Sequence, residues 1–276
     1  MIIDAHQHLW HIGRNDQSWP TPDLPEICRD FVAADLREVT ADCGVTGTVL
    51  VQSQPSETDT MWLLSLAKAE PLIKAVVGWT DFAAPKSTDR IAYLSHQPKL
   101  KGLRPTLQGL DDDWILQDAC RPALEEMTAR GLTFDALVFT RHLSAIDRIA
   151  KDYPTLRIII DHGGKPPIGA GQMQPWADKI AKVAENPNVA CKLSGLLTEA
   201  DGQPVTAYAD HLFDTFGPDR LLWGSDWPVV LLKDSYRAWF DWTTTWLADK
   251  DPATRDAILG GNARRLYAFD EALQNA

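Results

Sequence analysis

The sequence is short of positive charge. Its 276 residues hold 27 Lys and Arg against 38 Asp and Glu, a net charge of −11 at neutral pH, and the basic residues form no cluster. Proteins that grip nucleic acid need such clusters to neutralise phosphates, so no nucleic-acid partner is expected. Long hydrophobic runs are also missing. Runs such as Pro228 to Leu232 fall far below the roughly 18 residues that span a bilayer, and no membrane partner is expected. Cysteine is scarce: Cys28, Cys43, Cys120 and Cys191 form no CxxC pair, which argues against a zinc knuckle or a disulfide framework. The opening MIIDAHQHLW carries no basic leader, and with reduced thiols this predicts a cytoplasmic protein. A GxSxG elbow and a Walker A loop are both absent, removing the serine-hydrolase and P-loop readings. Gly169-Ala170-Gly171 begins like a dinucleotide fingerprint but lacks the third glycine.

What remains is ordinary globular composition, 45% hydrophobic and 24% charged. Short β-branched runs alternate with helix-length amphipathic stretches. The runs Met1–Ala5, Gly47–Gln52, Ile73–Trp79, Leu100–Thr106, Leu132–Phe139, Arg157–His162, Asn188–Ser194 and Leu221–Asp226 predict eight strands. Thr60–Ala69, Asp118–Arg130, Leu143–Lys151, Trp176–Glu185 and Val205–Phe216 read as helices. Strict alternation predicts a parallel sheet covered by helices, either a (β/α)8 barrel or an open doubly wound sheet. No linker divides the chain, so residues 1–276 are expected to form a single domain. Two departures from a minimal barrel stand out. The segment 9–34 is a long loop after the first strand, stiffened by Pro20, Pro22 and Pro25, and reads as a lid. Residues 235–276 add C-terminal helices, with Asn262 placed as an N-cap and Trp239, Trp242 and Trp246 spaced as one buried face.

Chemistry gathers at the expected strand ends. His6 and His8, at i and i+2 on the first strand, share a face. Ile3 and Ala5 are expected to point at the helices, leaving both imidazoles at the barrel mouth, a common start for a divalent-metal site. Asp226, in Gly224-Ser225-Asp226-Trp227-Pro228, ends the eighth strand, which neighbours the first in a closed barrel. His162 and Lys165 follow the sixth strand in DHGGKP, and Arg104 follows the fourth in KGLR.

Together these segments resemble the amidohydrolase superfamily, and within it the bacterial sugar-lactonase branch that includes L-fuconolactonases. The resemblance rests on IDAHQHLW, VLVQSQPSET, LKGLRPTLQ, IIDHGGKPPI, NVACKLSGLLTEA, FGPDRLLWGSDWPV and GNARRLY, in order along nearly the whole chain. It implies a distorted (β/α)8 barrel and matches His6 and His8 to the strand-one pair, His162 to the strand-six histidine and Asp226 to the strand-eight aspartate. The bridging Lys or Glu on strand four and the histidine on strand five of binuclear members are missing, since Arg104 ends one strand and LTFDALVF offers no histidine. The resemblance therefore implies at most one divalent ion, zinc first, on His6, His8 and Asp226, and the branch also has members that work without metal.

The expected reaction is hydrolysis of a sugar lactone such as L-fuconolactone to its aldonic acid. Asp226 would act as general base, with His162 and Arg104 polarising the carbonyl. Lys165, Gln52 and His142 are candidates for the sugar hydroxyls, and Trp10, Trp79 and Trp227 for the flat face of the ring. Two other readings stand beside it: a metal-dependent decarboxylase of the same superfamily, and a non-catalytic small-molecule-binding barrel. A decarboxylase would want more histidine ligands, and a binding protein has no reason to place Asp226 beside two histidines.

Overall fold

The structure is a computed structural model and describes residues 1–269. Residues 270–276, the end of the expected C-terminal helical region, lie outside the described residues. Eight strands form: β1 (Ile2–Gln7), β2 (Val45–Val51), β3 (Ile73–Gly78), β4 (Leu100–Leu103), β5 (Thr133–Ala136), β6 (Arg157–Ile160), β7 (Val189–Leu193) and β8 (Leu221–Trp223). They pair in parallel in sequence order from β1 to β8. At the seam, Gln7 bridges Trp227, the His8 N–H donates to the Trp227 carbonyl at 2.7 Å, and the Asp226 N–H donates to the His6 carbonyl at 2.8 Å. An open doubly wound sheet would leave β1 and β8 apart; here they meet, and the architecture is the distorted (β/α)8 barrel. Gly224 permits the close approach, because a Cβ there would stand 2.8 Å from His6 Cβ.

Two apolar layers divide the core. Leu50, Val76, Leu103, Phe134, Ile160, Cys191 and Trp223 face the surrounding helices. Ile3, Ala5, Val49, Val51, Ala75, Val77, Ile159, Ala190 and Leu222 form a separate cluster. This second cluster is the barrel interior, since Ile159 and Ala190 share their strand face with Asp161 and Lys192, which reach across to β1 and β5. The expectation that Ile3 and Ala5 face the helices is therefore wrong. A register irregularity between Asp4 and Gln7 breaks the two-residue alternation, so Ile3, Ala5, His6 and His8 all point inward.

The C-terminal segment closes the lower end of the barrel. Ala263, Leu266, Tyr267 and Phe269 pack into the interior cluster, and the Tyr267 hydroxyl donates to Asp135. Asn262 is not an N-cap: its carboxamide donates to the carbonyls of Pro218 and Leu221 at 2.7 and 2.8 Å, tying this segment to β8. Of the three tryptophans on helix Tyr236–Trp246, only Trp239 is buried. Trp242 and Trp246 are half-buried and stack on it in series at 4.9 and 6.0 Å. The long loop after β1 folds back on itself, with Trp10 and Phe31 paired in antiparallel fashion, and runs into helix Ala33–Ala41.

Candidate active site

The C-terminal rim of the barrel surrounds a cavity of about 510 Å³ whose lining includes His8, Gln52, Arg104, His162, Lys165 and Asp226. Their positions follow from strand chemistry. His6 and His8 project inward after the irregularity in β1. Asp226 follows β8 in left-handed backbone at φ +58°, and His162 follows β6 at φ +55°. Left-handed backbone is uncommon outside glycine, though Asp and His reach it more readily than most residues, and it concentrates at functional sites. Gly195 leaves room for the His162 ring: a Cβ there would stand 2.6 Å from His162 Nδ1.

Three side chains meet at one point. His6 Nε2 and His8 Nε2 are 3.2 Å apart, and Asp226 Oδ1 lies 3.7 and 3.4 Å from them. Ligand atoms about 2.0–2.1 Å from a tetrahedral zinc stand about 3.4 Å from one another, so three corners of such a shell are in place. Tautomer supports the fit. His8 Nδ1 lies 2.8 Å from the Val51 carbonyl, which can only accept, so Nδ1 carries a proton and Nε2 is the atom turned toward His6 and Asp226. Burial holds the His6 imidazole well below its usual pKa, more than offsetting the nearby Asp161 carboxylate, so the His6 ring is neutral. The residues present fit one divalent cation.

His162 sets its Nδ1 2.9 Å from Ser194 Oγ and its Nε2 3.8 Å from Asp226 Oδ1. Burial pushes its pKa down to about 4 against the pull of Asp226 and Asp161, leaving a neutral ring at neutral pH. Burial alone would raise Asp226, but His162, His8 and His6 overcome it and hold the carboxyl below the usual carboxylate range. Arg104 is nearly fully buried. It donates through Nη1 to Asp161 Oδ2 at 3.1 Å and through Nη2 to the Gln52 carbonyl. Its Nε, and Oε1 of Gln52, have no partner among the described residues.

Below the rim lies a group that the sequence reading missed. Lys192 is fully buried and places its ammonium 2.7 Å from Asp135 Oδ2, 2.9 Å from Asp161 Oδ1 and 3.1 Å from His6 Nδ1. Burial works against that charge, but the two carboxylates outweigh it and raise the lysine pKa. A second possible ligand grouping, His6 with Asp161 and His162, shares His6 with the first. Lys192 already supplies the positive charge there. The signal was available, because Lys192 in VACKL and Asp135 in LTFDALVF are single charges inside runs that otherwise read as buried strands.

Four of the expected site residues lie elsewhere. His142 is buried beneath the rim, accepting from the Phe139 N–H at Nδ1 and donating from Nε2 to the Leu110 carbonyl at 3.2 Å, so both nitrogens are used by backbone. Trp10 is buried, with Nε1 donating to the Arg29 carbonyl at 2.9 Å. Trp227 is buried edge-on against Phe31, and Trp79 is half-buried away from the cavity. None of the three tryptophans lines the cavity. Trp19 from the lid does, with Ser18 and Leu24. Lys165 is where it was expected, paired with Glu199 at 3.2 Å on the cavity wall.

A parallel barrel whose C-terminal rim gathers two imidazoles and a carboxylate at the spacing of one metal's ligands, beneath a lidded cavity, defines a (β/α)8 enzyme of the metal-assisted kind. The chain belongs to the amidohydrolase family, whose model it matches over residues 3–269. It is 45% identical over 278 residues to the L-fucono-1,5-lactonase of Burkholderia ambifaria, covering 97% of this chain and 96% of that one. Identity to the L-fucono-1,5-lactonase of Burkholderia multivorans is 32%, covering 98% and 96%. The crystal structure of an amidohydrolase from Burkholderia multivorans with bound zinc superposes with a TM-score of 0.92 at 32% identity, covering 98% of this chain and all of that one. No helix among the described residues is long and apolar enough to cross a membrane.

Proposed function

We propose that the protein is a lactonase that opens a sugar lactone to its aldonic acid, with L-fucono-1,5-lactone as the first substrate to try. The observation that carries this reading is the convergence of Asp226 with His6, His8 and His162 on the cavity floor. The relatives' activity supports the substrate class. His6, His8 and Asp226 would hold the divalent ion, and zinc suits two imidazoles and a carboxylate. When bound, it supplies Lewis acidity toward the ring carbonyl.

The chain's own groups do the rest. Asp226, ionised at neutral pH, takes a proton from the water that attacks the lactone carbonyl carbon. The bond from that carbon to the ring oxygen then breaks, and Asp226 returns the proton to the departing hydroxyl. Neutral His162 and the Arg104 guanidinium face the carbonyl oxygen as it gains charge, a role worth about 3–4 kcal/mol for a well-placed donor. Buried polar atoms without partners are rare in folded proteins, and Gln52 and Arg104, which line the cavity, carry two such atoms, Oε1 and Nε. The Lys165–Glu199 pair offers donor and acceptor to the sugar hydroxyls, and Trp19 offers a flat apolar face. The reaction is placed in the cytoplasm, a reading supported by four free cysteines.

The test is acid release, followed with a pH indicator over a panel of aldonolactones, beside carbon dioxide release from aromatic carboxylates. Hydrolysis of a lactone, on a preparation holding no more than one equivalent of metal, is the expected result. Carbon dioxide release would make the protein a decarboxylase, and silence in both assays would make it a binding protein.

A further inference from the structure

The lid reaches the cavity through Trp19, yet nothing in the reaction explains what holds that ring in place. Behind it lies Gln54, on the connection after β2 and only 1% exposed. Its Oε1 accepts from the Ser18 N–H at 3.0 Å, and its Nε2 donates to the Trp19 carbonyl and to Ser53 Oγ. One carboxamide thus satisfies the N–H of one cavity-lining residue and the carbonyl of the next.

The support continues beneath it. The Asp59 carboxylate is turned toward the backbone amides of Ser53 and Gln54, which favour its charged form, and the Asp59 N–H donates to Ser56 Oγ at 3.3 Å, so the connection that carries Gln54 is held against the following helix. Ser56 Oγ donates to Asp16 Oδ2 at 2.6 Å, a second tie to the same stretch of lid. On its other side, the Trp19 ring meets Trp10 edge-on at 5.4 Å. Trp10 is the rigid neighbour, fixed by its bond to Arg29 and by Phe31.

We propose that Gln54 is a positioning residue that fixes Trp19 as the wall of the cavity and thereby sets how tightly the site holds its ring-shaped substrate. The identity of that substrate rests on the lactonase reading; the tie between Gln54 and the lid does not. With Gln54 gone, the Ser18 N–H and the Trp19 carbonyl turn to water, and the wall loses its fixed place. Contacts remote from the reacting carbon are lost in ground state and transition state alike, so the loss falls mainly on KM.

The experiment is a double-mutant cycle on the lactone that the wild type hydrolyses best. Gln54→Ala is expected to raise KM roughly tenfold, more than it lowers kcat, and Trp19→Ala to do the same. The double variant should be no worse than Trp19→Ala alone, because Gln54 acts through Trp19. Gln54→Glu keeps the size and the acceptor but cannot donate to the Trp19 carbonyl, so it should resemble Gln54→Ala; this separates the hydrogen bond from lost volume. A second readout needs no substrate. Arg14 is exposed in the lid, and trypsin should cut after it faster in Gln54→Ala and Gln54→Glu than in wild type, at a temperature well below the melting point of every variant. Additive effects in the cycle, or an unchanged KM in a variant with a native melt, would overturn the proposal. If the wild type opens no lactone, the lactonase reading fails by itself and the trypsin comparison decides: faster cleavage supports the tie, and equal cleavage refutes it.

Discussion

Asp226 concentrates the chemistry at the scale of the residue. Asn in its place keeps the size but cannot take a proton from water at neutral pH. Its left-handed backbone suits Asn as well as Asp, so the fold should survive. Asp226→Asn is expected to melt like wild type by circular dichroism and to lose about 10²–10⁴ in hydrolysis rate. A native-like melt with hydrolysis within about tenfold of wild type, well short of that loss, would show that another group is the base. Arg104 is less separable. Its ion pair with fully buried Asp161 makes it structural as well as catalytic in this reading, and its removal leaves a buried carboxylate short of one partner. His6, His8, Asp226, His162 and Lys165 were legible as residues because charged or imidazole groups at strand ends stand out from their surroundings. The tryptophans were not, because nothing local tells whether a strand-end ring turns into the cavity or under the lid.

Among the elements, the connection between β2 and helix Glu57–Ala69 carries more than its length suggests. Asp59 lies in the first turn of that helix and turns its carboxylate inward, where Oδ2 has no partner among the described residues. Burial raises its pKa from 3.8 to about 7, and the amides of Gln54 and Ser53 only partly oppose this. The sign follows. Below the unfolded value both states hold the proton; between 3.8 and about 7 the unfolded chain releases it while the folded chain keeps it, so stability falls as pH rises through that window. From about pH 5 to about pH 8 the loss is on the order of 2–3 kcal/mol. Asp59→Asn removes this titration. Denaturant unfolding at the two pH values should show the variant gaining on wild type by that amount at the higher one. An equal difference at both would mean that Asp59 ionises normally in the fold.

For the whole molecule, the C-terminal segment closes the barrel from below. Tyr267 fills that end, its ring among Ile3, Val49 and Leu222 and its hydroxyl on Asp135, which also pairs with Lys192. Tyr267→Ala should lower stability by about 3–5 kcal/mol, the usual cost of emptying a buried aromatic site. Tyr267→Phe should cost about 1–3 kcal/mol, because Asp135 loses one donor. Urea titration of both variants measures the two costs, and a midpoint unmoved in Tyr267→Ala would mean that the segment does not brace the barrel.

Alternation of β-branched runs with amphipathic helices was enough to give eight parallel strands, because that pattern has few other solutions. Strand ends were enough to name the imidazoles and the carboxylate, because spacing along one strand and adjacency of first and last strands are topological facts. The facing of Ile3 and Ala5 was not readable. It turns on one irregularity in β1, and a single extra residue in a strand reverses every side chain beyond it. Nor was the choice of Trp19 over Trp10, Trp79 and Trp227, which depends on how a loop of two dozen residues folds back and on a glutamine far along the chain that holds it there. The balance of charge inside the barrel likewise belongs to the tertiary structure, since Asp135 on β5, Asp161 just past β6 and Lys192 on β7 become partners only when the barrel closes.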